Sequence, residues 1–212
     1  MRSFVLERIS EPDDELLTLE ELKRHLRMYS SNDEEDDDLN DLMRSARHWI
    51  EQTTLRSPMQ SQWRMIIGDY HNIYRNVDSD TVSGAYTPAR DLSSPDGSIM
   101  LLPSPVMSIS AFINVASDGS ETTIDDSTYE LRKGNSRWPE LVPLTGAGWS
   151  TGEFKIEMRC GWLDVDDVPT EYKQAAKLWC EAHYDRDKDM MDLLMKSAMA
   201  VIEPQSANLN LA

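Results

Sequence analysis

Four histidines and several acidic clusters are the places in this chain where chemistry could reside. His25, His48, His71 and His183 stand in no pattern that makes a nucleophile, a general base or a metal ligand. Asp185-Arg-Asp-Lys-Asp189 has the 1, 3, 5 oxygen spacing of a calcium loop. Position 6, however, is Met190 where a glycine must turn, and position 12 is Lys196 where a bidentate glutamate must close the cage. The acidic run over 33–38 also lacks a glycine turn and is suited only to diffuse cation attraction. Asp125/Asp126 and Asp166/Asp167 offer paired carboxylates, as acid–base catalysis requires, yet adjacent carboxylates in turns read as solvated caps. Asp166 or Asp167 is expected to serve the helix that follows Pro169. There is no Gly-x-Ser-x-Gly elbow and no glycine loop to cradle a phosphate. The reading is of no catalytic residue, no cofactor site and no metal site.

Composition narrows the class further. With 212 residues the chain can bury a core without staples. Its two cysteines, Cys160 and Cys180, read as buried free thiols, which favours a reducing compartment. No basic region followed by an apolar run opens the chain, and no stretch of 18 uncharged apolar residues occurs, so a soluble, non-membrane protein is expected. The net charge of −17 opposes general affinity for nucleic acid. Thirteen acidic against three basic residues lie between 11 and 41, which is either a solvated acidic loop or a surface for a basic partner.

The elements that position these residues follow from periodicity. Phe154, Ile156, Met158 and Cys160 alternate with Lys155, Glu157 and Arg159, as in a half-buried strand that Gly161 ends. Pro169 then opens a helix whose stripe is Tyr172, Ala175, Ala176, Trp179, Ala182 and His183. Thr18 and Glu21 form a capping box ahead of Leu19, Leu22 and Leu26. A second helix over 34–53 carries Leu39, Leu42, Met43, Ala46, Trp49 and Ile50 on one face, with Arg44 and Arg47 turned elsewhere. The acidic run caps it through the helix dipole.

From Ser57-Pro58 the pattern becomes short apolar runs between turn residues, with strands expected over 62–67, 98–102, 106–115, 121–124, 129–131 and 153–160. Asp118-Gly119 suits a two-residue hairpin turn. Residues 78–97 read as a long loop, and 70–74 as an edge strand. A last helix over 189–202 shows Met191, Leu194, Met195, Ala198 and Ile202 as its stripe, and Pro204 stops it.

The expected fold is α+β: terminal helices form a small bundle with an inserted antiparallel β subdomain. The divisions are an arm (1–15), a helical pair (16–55), the β subdomain (56–162), helices completing the bundle (163–203) and a flexible tail (204–212). Trp49 and Trp179, with Tyr172 and Leu42, are expected in the bundle core. Trp138 and Trp149 fall in loops and are expected at subunit or partner contacts.

Three of these stretches carry a resemblance: 154–184 as a strand, acidic turn, Val-Pro and helix; Leu17–Leu26 with Leu39–Glu51; and Ile99–Ile109 with its Pro-x-Pro. In order and spacing, over about residues 16–187, they resemble the head–tail connector, or adaptor, proteins of long-tailed bacteriophages. The resemblance implies a structural virion protein that forms a twelve-fold ring beneath the portal and prolongs the DNA channel. Its partners would be further copies of itself, the portal protein and a downstream head-completion or tail-terminator protein. DNA would only pass through. The place would be the virion head–tail interface, after assembly in the host cytoplasm. On that reading Val201, Ile202, Pro204, Gln205, Leu209 and Leu211, an amphipathic helix end and polar tail, are expected to dock on the portal. The alternative is a small metal-dependent or hydrolytic enzyme, which would need a cleft joining His71 or His183 to acidic residues.

Overall fold

Alternation at 153–160 becomes the central strand of a five-stranded antiparallel sheet in the computed structural model of this chain. The structure describes residues 4–29, 33–68, 97–133, 138–144, 149, 152–184 and 188–205, with residue 205 described by its backbone only. Element order is β1 (Phe4–Ser10), α1 (Leu19–His25), α2 (Asp36–Thr54), β2 (Ser61–Ile67), β3 (Ile99–Met100), β4 (Val106–Val115), β5 (Glu121–Thr123), β6 (Tyr129–Arg132), β7 (Glu140–Pro143), β8 (Glu153–Cys160), α3 (Thr170–Tyr184) and α4 (Lys188–Ile202). The fold is α+β. The chain divides into two units: 1–11 with 61–161 and 209–212, and 12–60 with 162–208.

In the β unit the strand order is β1-β2-β8-β4-β5, all antiparallel, beside a three-stranded sheet in the order β3-β7-β6. The register puts Leu6, Met65, Ile156 and Phe112 across one row. Phe112 meets Phe154 and Tyr129, each at 5.4 Å between ring centroids, so aromatic faces join the two sheets. Cys160 lies in this core, and burial raises its thiol pKa far above the ordinary range.

Two strands escape the reading from periodicity. Phe4–Ser10, within the expected arm, is the edge strand β1; its outward Val5 and Ile9 blur the alternation that its inward Phe4 and Leu6 would otherwise show. Glu140–Pro143 is β7, where adjacent Leu141 and Val142 are both buried and no period of two exists. Residues 70–74, expected as an edge strand, and most of the 78–97 loop lie outside the described residues.

The hairpin at 117–120 also differs in type. Gly119 alone has positive φ, and its amide donates to the Ala116 carbonyl while the Ala116 amide donates to Ser120. Three residues therefore make the turn, with Gly119 in the left-handed position, instead of two. Asp118 accepts from the Ser120 amide at 2.9 Å and from its hydroxyl at 2.6 Å, and these bonds lower the Asp118 carboxyl pKa. Before β4, the Leu102–Pro103 and Ser104–Pro105 bonds are both cis.

In the helical unit the capping box forms as expected: Glu21 N–H donates to the Thr18 hydroxyl and Thr18 N–H to the Glu21 carboxylate, at 3.2 and 3.0 Å. Leu22, Ala46, Ile50, Tyr172, Ala175, Ala176, Cys180 and Ile202 are buried in one core. Trp49 and Trp179 meet there with ring centroids 6.4 Å apart, whereas Tyr172 packs on Trp162 at 5.6 Å. Burial pushes the Tyr172 phenol and the Cys180 thiol each up to about 12.

Asp164 accepts from the Asp166 amide at 2.9 Å and shapes a 3-10 turn over Val165–Asp167. Asp166 lies 3.9 Å from the Lys173 ammonium on the first turn of α3, which starts with the Tyr172 amide donating to the Pro169 carbonyl at 3.0 Å. No side-chain hydrogen bond caps α2, so Asp36, Asp37 and Asp38 act on its first turn through charge.

Expected only to lie off the apolar face of α2, Arg47 is 1% exposed, because Glu15 and Glu51 supply the carboxylates that burial of a guanidinium demands.

Candidate assembly surfaces

Three of the four histidines make contacts along or between helices. His25 Nε2 lies 2.9 Å from Glu181 Oε2, linking α1 to α3. His183 stacks on Trp179 with centroids 3.7 Å apart, and its Nδ1 lies 2.8 Å from the Trp179 carbonyl oxygen. His48 is exposed and contacts Gln52 at 2.9 Å. His71 and residues 185–187 lie outside the described residues. Asp125 accepts from the Ser127 amide at 2.9 Å, which holds a 3-10 turn over Asp126–Thr128 and lowers the Asp125 carboxyl pKa together with the bond from the Ser127 hydroxyl. Among the described residues no three His, Cys, Asp or Glu side chains are placed to hold a metal ion, and no helix is long and apolar enough to cross a membrane.

Trp149 sits edge-on to Phe112 at 5.1 Å and donates its indole N–H to the Gly97 carbonyl at 2.7 Å. It is half-buried and anchored in the aromatic cluster. Trp138 is half-buried as well, just before β7.

In the first two turns of α4 the expected stripe residues Met191, Leu194 and Met195 are joined by Met190 and Leu193. Met190, Met191, Leu193, Leu194 and Met195 are all at least partly exposed, with Met190 at 44% and Leu193 at 60%. Only Ala198 and Ile202, on the later turns, are fully buried. Five apolar side chains in six residues without a buried member exceed what one packed face uses.

At the C-terminal end the expected docking residues separate. Ile202 is 0% exposed and belongs to the helical core, since the α4 stripe turns it inward; its side chain is not a surface residue. Val201 is half-buried and Pro204 is exposed on the 3-10 turn Glu203–Gln205 that ends α4. Leu209 and Leu211 lie outside the described residues.

The outer face of the five-stranded sheet is a charge ladder. Arg64 on β2 donates to Glu157 on β8 at 2.6 and 3.1 Å and to Glu7 on β1 at 3.3 Å. Lys155 donates to Glu121 at 2.7 Å, which lowers the Glu121 carboxyl pKa and raises that of the ammonium. Lys155 and Glu157 were legible as the polar side of an alternating strand, whereas Glu7 lies on the edge strand that periodicity missed. Their pairing needed the strand order, which no sequence period contains.

No family model and no curated protein matches the chain. Among solved structures, it is similar to a chain in the neck of an empty gene transfer agent particle computed with C6 symmetry, at 20% identity and a TM-score of 0.68, covering 95% of each chain. A chain in the virion of a native gene transfer agent particle is similar at 19% identity and 0.70, again over 95% of each. A third, in the neck of a native particle computed with C12 symmetry, is similar at 18% and 0.67, over 95% of this chain and 94% of that one. The fold is thus shared along nearly its whole length with chains of gene transfer agent particles.

Proposed function

We propose that this protein is a head–tail adaptor: a structural subunit that assembles as a ring beneath the portal, extends the DNA channel and offers a docking surface to the next head-completion or tail protein. The observation that carries this reading is the end-to-end similarity of fold to chains in particle necks. A particle neck solved with C12 symmetry supports twelve copies per ring. Ring contacts are heterologous, so one patch meets a different patch on the neighbour. The exposed α4 run of Met190, Leu193 and their neighbours is suited to such a contact, because methionine adapts to irregular partners. Trp138 and Trp149 are assigned to the same role. The portal-docking segment is Val201, Pro204, Gln205, Leu209 and Leu211; Ile202 holds the segment's root in the helical core. A channel wall with a −17 subunit charge would repel phosphate and let DNA pass without sticking.

Co-expression with a portal protein from the same particle tests the reading. Co-purification as a ring of defined mass by light scattering is expected, and removing residues 205–212 is expected to abolish it. A monomer that ignores the portal overturns the adaptor assignment. Unchanged co-purification after the truncation overturns the docking segment alone.

A further inference from the structure

We infer that the outer edge of β1, a strand that among the described residues pairs with β2 alone, is a docking site for an extended segment of another protein, one that carries a basic residue between two apolar residues at alternate positions. β1 is the terminal strand of the five-stranded sheet and pairs only with β2 among the described residues. An edge strand presents a row of backbone donors and acceptors to any chain that can lie alongside. The one outward charge on β1 is Glu7, and the register is unbroken from Phe4 to Arg8. Phe4–Ile9 holds no proline and no outward lysine.

The outward row specifies the occupant. Val5 is 47% and Ile9 42% exposed, and the Glu7 side chain between them is 45% exposed. Glu7 begins a ladder of alternating sign, Glu7, Arg64, Glu157, running across β1, β2 and β8. A strand added outside β1 continues that alternation when it sets Lys or Arg opposite Glu7 and apolar side chains opposite Val5 and Ile9. Opposite charges and apolar pairs facing each other across strands are both stabilising. Backbone pairing would supply affinity and the apolar-basic-apolar row the selectivity. This goes beyond ring assembly and depends on none of its contacts.

The test uses the full-length 15N-labelled protein and two symmetric peptides, Thr-Val-Thr-Lys-Thr-Val-Thr and its Glu-centred twin, titrated to millimolar concentration. The lysine peptide is expected to shift the amides of Phe4–Ile9 and to slow their hydrogen exchange. It should bind about fivefold more tightly than the glutamate peptide, as a cross-strand charge pair implies. Glu7→Lys should reverse that preference, and Ile9→Ser should weaken both peptides without altering the shifts of the remaining sheet. Equal binding of the two peptides, perturbation away from β1, or no perturbation overturns the inference. So does a set of β1 shifts that grows with protein concentration in the absence of peptide, since a second copy would then be the occupant.

Discussion

Arg47 Nε and Nη2 donate to the two carboxylate oxygens of Glu15 at 2.9 and 3.2 Å, a two-pronged pair between the segment ahead of α1 and the middle of α2. Glu51, one turn further along α2, takes the Nη1 group at 3.5 Å and is itself 5% exposed. The guanidinium thus supports two acids, one of them almost wholly removed from water. Arg47→Met leaves Glu51 buried beside an apolar chain and is expected to destabilise the protein by about 3–5 kcal/mol. Adding Glu51→Leu to Arg47→Met should recover much of the loss. Urea denaturation of the single and double variants measures both, and a double variant no better than the single would show that the pair itself stabilises.

The capping box at Thr18 makes stability depend on acid. The Thr18 amide donates to the Glu21 carboxylate, and this bond, ahead of the nearby Lys177 and Lys173 charges, lowers the Glu21 pKa in the folded state. Protonation is then harder in the folded than in the unfolded chain. The contribution is complete above the ordinary carboxylate pKa and is lost as pH falls through the lowered folded value. Wild type should exceed Glu21→Gln in denaturation midpoint at pH 7, with the difference closing in strong acid. Thr18→Ala should cost about 1 kcal/mol at pH 7.

Gly152 precedes β8 with φ of +135°, and a Cβ built there would stand 2.5 Å from the Val115 carbonyl oxygen. Both the backbone angle and the contact with β4 require glycine. Gly152→Ala is expected to lower stability by about 1–3 kcal/mol, read as a fall in the thermal midpoint.

Trp49 and Trp179 join α2 to α3. Beyond the area each buries, their mutual term in a double-mutant cycle to leucine should be about 0.5–1.5 kcal/mol. Additive single losses would place the energy in general burial.

Cys160 and Cys180 are both fully buried, and burial raises both thiol pKa values. Neither should react with a thiol reagent at pH 8 in the native protein, and both should react once it is unfolded in denaturant. Rapid labelling of the folded protein would show that one of the two units opens readily.

Local spacing made much of the helical unit legible. The Tyr172–Ala175–Ala176 stripe, the Leu39–Met43–Ala46–Ile50 face and the Thr18–Glu21 cap depend on residues three or four apart, and a helix brings those together whatever surrounds it. The strands at 61–67, 106–115 and 153–160 were legible because one face of each is buried and alternation records that fact. The assembly surfaces were only partly visible. Met191, Leu194, Met195, Ala198 and Ile202 read as one stripe, and burial alone separates the partly exposed first three from the buried Ala198 and Ile202.

The sequence by itself determined the α+β class, the position of nearly every described helix and the longer strands, because these follow from periods built into neighbouring residues. Tertiary structure decided the rest. It placed β8 between β2 and β4, put β1 on an edge, drew Ile202 inward and buried Arg47. Each of these depends on partners far along the chain: Arg47 on Glu15, 32 residues away, and Arg64 on Glu157, 93 away. The cost of burying a charge or the fate of a strand's free edge is set by what lies across the gap, and no local spacing encodes that.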